Sequence, residues 1–252
     1  MTAIDPTLPA PAPAAKNSFQ RIAGVFFAPA ETFADIARKP DILIPLIVIL
    51  VIGYVTTFMV MPHLDWDAMI TTQAEMVKKQ NPNVSDADLA QMGRFTKAIA
   101  QVMGYIGPLL VLIGYLIIAL VVWGACRLMG GQGDFKQAFS ATLYAHFPRV
   151  ILGIIASVVI MARGMVDPQT MATVVKSSPA FLVDMKEQPV LFTVLASFEI
   201  FQIWTIILLI IGFAALTKLS KAKTAAIIVT LWLVALVVKV GFAALGAARM
   251  KA

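Results

Sequence analysis

The stretch FEIFQIWTIILLIIGFAALTKLSKAKTAAIIVTLWLVALVVKVGF, Phe198 to Phe242, decides the fold of this chain. Taken from Pro189 to Leu245, it holds two apolar runs, about 190–216 and 224–245, on either side of Thr217-Lys218-Leu219-Ser220-Lys221-Ala222-Lys223. Each run is long enough to cross a hydrocarbon core ~30 Å thick at a rise of ~1.5 Å per residue. So short a connection allows only a tight antiparallel turn, and its lysines mark a cytoplasmic loop. The stretch predicts a transmembrane helical hairpin.

Composition agrees. Of the 252 residues, 60% are apolar and 13% are charged, whereas soluble chains carry about 25% charged residues. A net charge of +6 raises the question of nucleic acid. The basic residues are scattered between apolar runs and form no stripe, so they read as topology signals and nucleic acid is not an expected partner. The single cysteine, Cys126, excludes an intramolecular disulfide and a cysteine metal cluster.

Working outward, residues 1–15 carry Pro6, Pro9, Pro11 and Pro13 among alanines and read as a disordered tail. They are not a signal peptide, because strong apolarity begins only near Ile42. From Ser18 to Arg38, Phe19, Ile22, Val25, Phe26, Phe27, Phe33 and Ile36 gather on one side of short helices. Such helices lie in the headgroup plane, pack on the protein's own bundle, or do both together; the sequence leaves these open. The remainder, 16–252, is read as one membrane domain.

The first span covers about 42–61, with Pro45 in its first turn, where the missing N–H costs little. An outer excursion, 62–100, follows with two helical patterns, one from Asp65 to Lys79 and one opened by Ser85 as N-cap. The second pattern runs directly into the next span, about 105–129, as one long helix. Gly130-Gly131-Gln132-Gly133-Asp134 lacks the lysine and hydroxyl residue of a phosphate loop and is a turn. The third span, about 138–162, is expected to bend near Pro148, with a re-entrant pair as the other solution. After a second polar connection the terminal hairpin supplies two more spans. The expectation is an all-α bundle of five spans. Its short, lysine-rich loops place the N-terminus in the cytoplasm and the C-terminus outside.

Chemistry is sparse. His63 and His146 are the only histidines, and no metal-binding helix motif accompanies them, so neither a metal nor any other cofactor is expected. His146 reads as an interfacial hydrogen-bonding residue. Glu199 and Lys239 fall inside the apolar runs, where each unpaired charge costs a few kcal/mol. Counted from their shared loop they reach nearly one depth, so they either pair across the seam of the two helices or snorkel separately. Glu199, Lys239 and His146 form the candidate intramembrane polar site. No catalytic constellation is legible.

Three stretches carry a resemblance: FFAPAETFADI from Phe26 to Ile36, AFSATLYAHFP from Ala138 to Pro148, and the aromatic-rich Phe198 to Lys223 with Trp204 and GFAALTKLSKAK. In these the chain resembles bacterial members of the Yip1 domain family, five-span integral membrane proteins. Eukaryotic relatives work in membrane trafficking, associate with small Rab-type GTPases and assemble with one another. None of the matching positions is a known catalytic residue. The resemblance implies a non-enzymatic protein of the bacterial inner membrane, in contact with lipid, that binds or organises membrane partners or copies of itself. A small transporter or lipid-handling protein is the alternative. The outer excursion at 62–100 departs from the family pattern.

Overall fold

The computed structural model describes residues 16–251, so the tail assigned to 1–15 lies outside the described residues. Helices α1 (Ser18–Phe27) and α2 (Pro29–Arg38) precede the first span, α3 (Leu43–Val60). The polar excursion at 62–100 is α4 (Trp66–Gln80) and the first half of α5 (Asp86–Leu128), whose second half is the second span. The third is α6 (Phe135–Ala145) with α7 (Phe147–Arg163); α8 (Pro189–Ala196), α9 (Ile200–Thr217) and α10 (Lys221–Lys251) complete the order. Among the described residues, five helical segments are long and apolar enough to cross a membrane: Leu43–His63, Asp86–Leu128, Phe135–Arg163, Ile200–Thr217 and Lys221–Ala248. The all-α, five-span architecture is therefore as expected.

Local signals explain the boundaries. Asn17 and Asp134 open α1 and α6 with capping boxes, each side chain accepting from the backbone N–H three residues on. Ser85 caps α5, and at 43 residues this helix is about twice as long as a bilayer core requires. Pro148 has no N–H to bond back to the Tyr144 carbonyl, so α6 ends and α7 begins across His146, at φ −90° and ψ 0°. This is the expected bend of the third span.

The fourth span differs from the sequence reading. The apolar run 190–216 is not continuous: α8 stops at Ala196, the chain turns through Ser197 and Phe198, and α9 starts at Ile200. The cause is Glu199, whose carboxylate accepts from the Phe201 and Gln202 N–H groups at 2.9 and 2.8 Å. A carboxylate inside an apolar helix is costly, while at a helix N-terminus it meets free N–H donors and the positive end of the dipole. The break leaves α9 with 18 residues, about 27 Å of rise.

α9 is the central helix. Leu208, Leu209, Phe213 and Leu216 join Val25, Phe33 and Ile36 from α1 and α2 and Leu143, Tyr144 and Phe147 from α6 and α7 in one buried cluster. The amphipathic N-terminal helices are therefore docked on the bundle, one of the two compatible placements the sequence left open. α2 fits closely on α9 at Gly212, where an added Cβ would stand 2.9 Å from the Phe33 ring. Gly212→Ala is expected to push α2 off α9 and to cost about 1–3 kcal/mol. Its lowered thermal midpoint in detergent should be recovered by Phe33→Leu in the same chain.

On the side opposite the Thr217–Lys223 loop the two polar connections are tied together. The Val166 N–H donates to the His63 carbonyl at 2.9 Å, and the Asp65 N–H donates to the Val166 carbonyl at 2.9 Å. Beneath them Val60, Met61, Leu64, Ile160, Val166 and Val174 form a second buried cluster.

Candidate functional site

The densest polar cluster lies where α1, α2 and the start of α3 meet α6. Arg21 and Asp35, each about 3% exposed, are joined by a forked contact: Nε and Nη2 of the guanidinium both stand 2.9 Å from Oδ2 of Asp35. The remaining guanidinium nitrogen, Nη1, binds Asp41. Asp41 also accepts from Ser18 Oγ and, at 2.7 Å, from the Tyr144 hydroxyl, while its own carbonyl accepts from Ser140 Oγ at 2.7 Å. Asp35 further accepts from Arg38 Nη2 and the Lys16 N–H, each at 3.2 Å.

Burial works against the Arg21 charge. The hydrogen bonds and negative charges of Asp35 and Asp41 more than offset it, and its pKa stands above the ordinary arginine value. The guanidinium is therefore permanently charged and holds two carboxylates. This is a structural knot that ties α1, α2 and the start of α3 to α6. The sequence reading passed over Asp35 and Asp41, although for Asp35 a helical plot carries the signal. Arg21 is one turn from buried Val25, and Asp35 shares its stripe with buried Thr32 and Ile36.

The sequence-predicted residues do not come together as one site. His146 sits at the α6–α7 junction, buried, with its ring centroid 4.0 Å from that of Tyr115. Its Nδ1 lies 2.7 Å from the Thr142 carbonyl, and because a carbonyl only accepts, Nδ1 carries the proton. Three residues on, the exposed Arg149 donates to the Gln202 side chain in the first turn of α9. The structure thus places Arg149 within the third span and against Gln202, three residues after Glu199, a contact the sequence reading did not foresee.

Glu199 and Lys239 are not joined. Glu199 serves as the α9 cap, and no ion pair links it to Lys239. Of the two arrangements left open, the seam pair is not formed here, and the helix break turns the carboxylate onto backbone N–H groups. Lys239 lies on the exposed side of α10 among Val237, Val238 and Phe242. Among the described residues it has no carboxylate within ion-pair reach, and no three His, Cys, Asp or Glu side chains group as metal ligands.

Comparison with known proteins adds identity to this geometry. The chain is similar to the membrane protein YknW of Bacillus subtilis (strain 168), at 26% identity over 199 residues that cover 79% of each chain. No solved structure matches it. The sequence model of the Yip1 domain matches residues 23–242, from within α1 to within α10, and so takes in the docked N-terminal helices and all five spans. The chain is a multi-pass membrane protein that belongs to the Yip1 domain family.

Proposed function

We propose that this protein is a non-enzymatic component of a bacterial inner (cytoplasmic) membrane that binds or organises other membrane proteins, with its N-terminus in the cytoplasm. The observation that carries this reading is Lys239 on α10. Only 6% of the apolar window of α10 is buried within the chain, against 44% for α9, so α10 is the span with most surface left for a neighbour. An ammonium group among exposed apolar residues costs about 2.5–3.5 kcal/mol on insertion scales. A partner helix that brings a carboxylate to the same level would offset part of that cost and select the partner. The orientation rests on the lysines of the Thr217–Lys223 loop.

The test uses single cysteines in a Cys126→Ala chain, cross-linked in intact membranes. Cysteines at Ala235 and Phe242, on the exposed side of α10 with Lys239, should trap one protein, either a second copy or another membrane protein, with an acid in a span. A cysteine at buried Ile228 should trap nothing. The adduct should disappear with Lys239→Met and persist with Lys239→Arg. Adducts that form equally well with Lys239→Met would sink the reading, as would labelling by lipid alone.

The lipid-handling alternative has one observation in its favour, a groove of about 250 Å³ between α3 and α7 lined by Ile52, Val55, Met59, Ile154 and Val158. Its two hydroxyls, Thr56 and Ser157, are spent on carbonyls of their own helices. The groove can therefore take an acyl chain and offers nothing to recognise a headgroup.

A further inference from the structure

The N-terminal helices do not lie flat. α1 and α2 are antiparallel and closely apposed, since a Cβ on Gly24 would stand 2.3 Å from Thr32 Oγ1. The pair stands alongside α9. Near its open end the Gln137 side chain donates to the Ala37 carbonyl at 2.7 Å. Midway, Phe33 covers Gly212. At the tip Phe26 meets Trp204 edge to face, with ring centroids 5.3 Å apart. Trp204 precedes Thr217, the end of the fourth span, by 13 residues (217 − 204), which is about 20 Å of helix rise. The tip is therefore level with the interior of a span.

From this register we propose that the α1–α2 hairpin is a wedge inserted tip-first into the bilayer from the Thr217–Lys223 side, and that its ligand is phospholipid acyl chain. The tip, AGVFFAPA from Ala23 to Ala30, contains no charged or hydrogen-bonding side chain. Phe27 points away from the protein, 88% exposed. The neighbouring α9 residues Ile203 and Ile207 are also exposed, so the lipid-facing surface of the span continues onto the tip. The charges sit behind it. Arg21 is neutralised by Asp35 and Asp41 inside the hairpin, and Glu31, the charge nearest the tip, is paired with Lys16 at 3.1 Å. Insertion thus buries apolar surface without stranding a charge, as an interfacial helix of high amphipathicity requires.

The proposal is tested with the full chain in phosphatidylcholine vesicles, Cys126→Ala background, carrying a bimane label at Phe27→Cys or, as the aqueous reference, at Ser220→Cys. Lipid with a nitroxide near the top of its acyl chain should quench the label at position 27 at least about threefold more than the label at 220, with iodide showing the reverse order. Equal quenching by iodide at the two positions overturns the wedge. So does a label at 27 that neither quencher reaches, since it would be buried in protein. A second arm keeps the folded state in view: Phe27→Ala should leave the thermal midpoint unchanged, because the side chain touches little of the protein, and a large loss of stability there also overturns the proposal.

Discussion

Replacing Arg21 with methionine is expected to lower the thermal midpoint in detergent by about 6–20 °C, from a loss of about 3–5 kcal/mol at about 2–4 °C per kcal/mol. The size follows from what is left behind. Asp35 is buried at 3% exposure and would keep only Arg38 and the Lys16 N–H. Asp41 would keep Ser18 and Tyr144 but no cation within reach. Removing one partner of a buried ion pair strands the other's charge, whereas removing the charges together is often close to neutral. Arg21→Met combined with Asp35→Asn and Asp41→Asn should therefore recover most of the loss, which intrinsic fluorescence during a thermal ramp would report. A single substitution that shifts the midpoint by less than about 2 °C would show that water reaches the knot and screens it. Arg21→Lys should fall between, because an ammonium group cannot make the forked contact to Asp35 and still span to Asp41.

Gly133→Val is the second large effect, expected at about 2–5 kcal/mol. Two causes add at this position. Gly133 has φ +85°, a conformation costly for any side chain and most for a β-branched one, and its Cβ would stand 2.9 Å from the Leu216 carbonyl oxygen, which cannot move aside. The turn is also a structural clasp. The Gln132 N–H donates to the Thr217 carbonyl at 2.8 Å, Lys223 Nζ donates to the Met129 carbonyl at 2.8 Å, and the Trp123 indole donates to Gly133 itself at 3.3 Å. Displacing Gly133 therefore loosens α5, α9 and α10 at once. Gly130 is the control: its φ is +84°, but a Cβ there meets nothing within 4 Å, so Gly130→Asn should cost only the backbone strain, which asparagine tolerates better than most residues, and clearly less than Gly133→Val. A midpoint unchanged by Gly133→Val, or lowered as much by Gly130→Asn, would mean the turn is not held in this conformation.

Much of the molecule is legible in the order of its residues. Runs of apolar side chains at span length admit only helices in a bilayer, because each backbone N–H and C=O must be satisfied within its own segment. Hence the five spans, the protruding start of α5, the bend at Pro148 and the tight loop at Thr217–Lys223 follow from composition, proline chemistry and length. The glycine turn at 130–133 is legible for the same local reason.

What the one-dimensional pattern could not decide was which face of each helix meets which neighbour. Glu199 and Lys239 share a depth by residue count, yet the carboxylate is taken up by two backbone N–H groups and the ammonium faces away on α10. A helix break costs less than an unpaired acid in an apolar helix, and a hydropathy average across 190–216 hides it. Likewise Arg21, Asp35 and Asp41 look like ordinary charges beside an amphipathic stretch until α1 and α2 close on each other and turn them inward. Depth and span number come from the chain's local chemistry. Rotation about each helix axis, and with it every polar contact between helices, is decided by packing around Gly212, Phe33 and Tyr144 in the folded bundle.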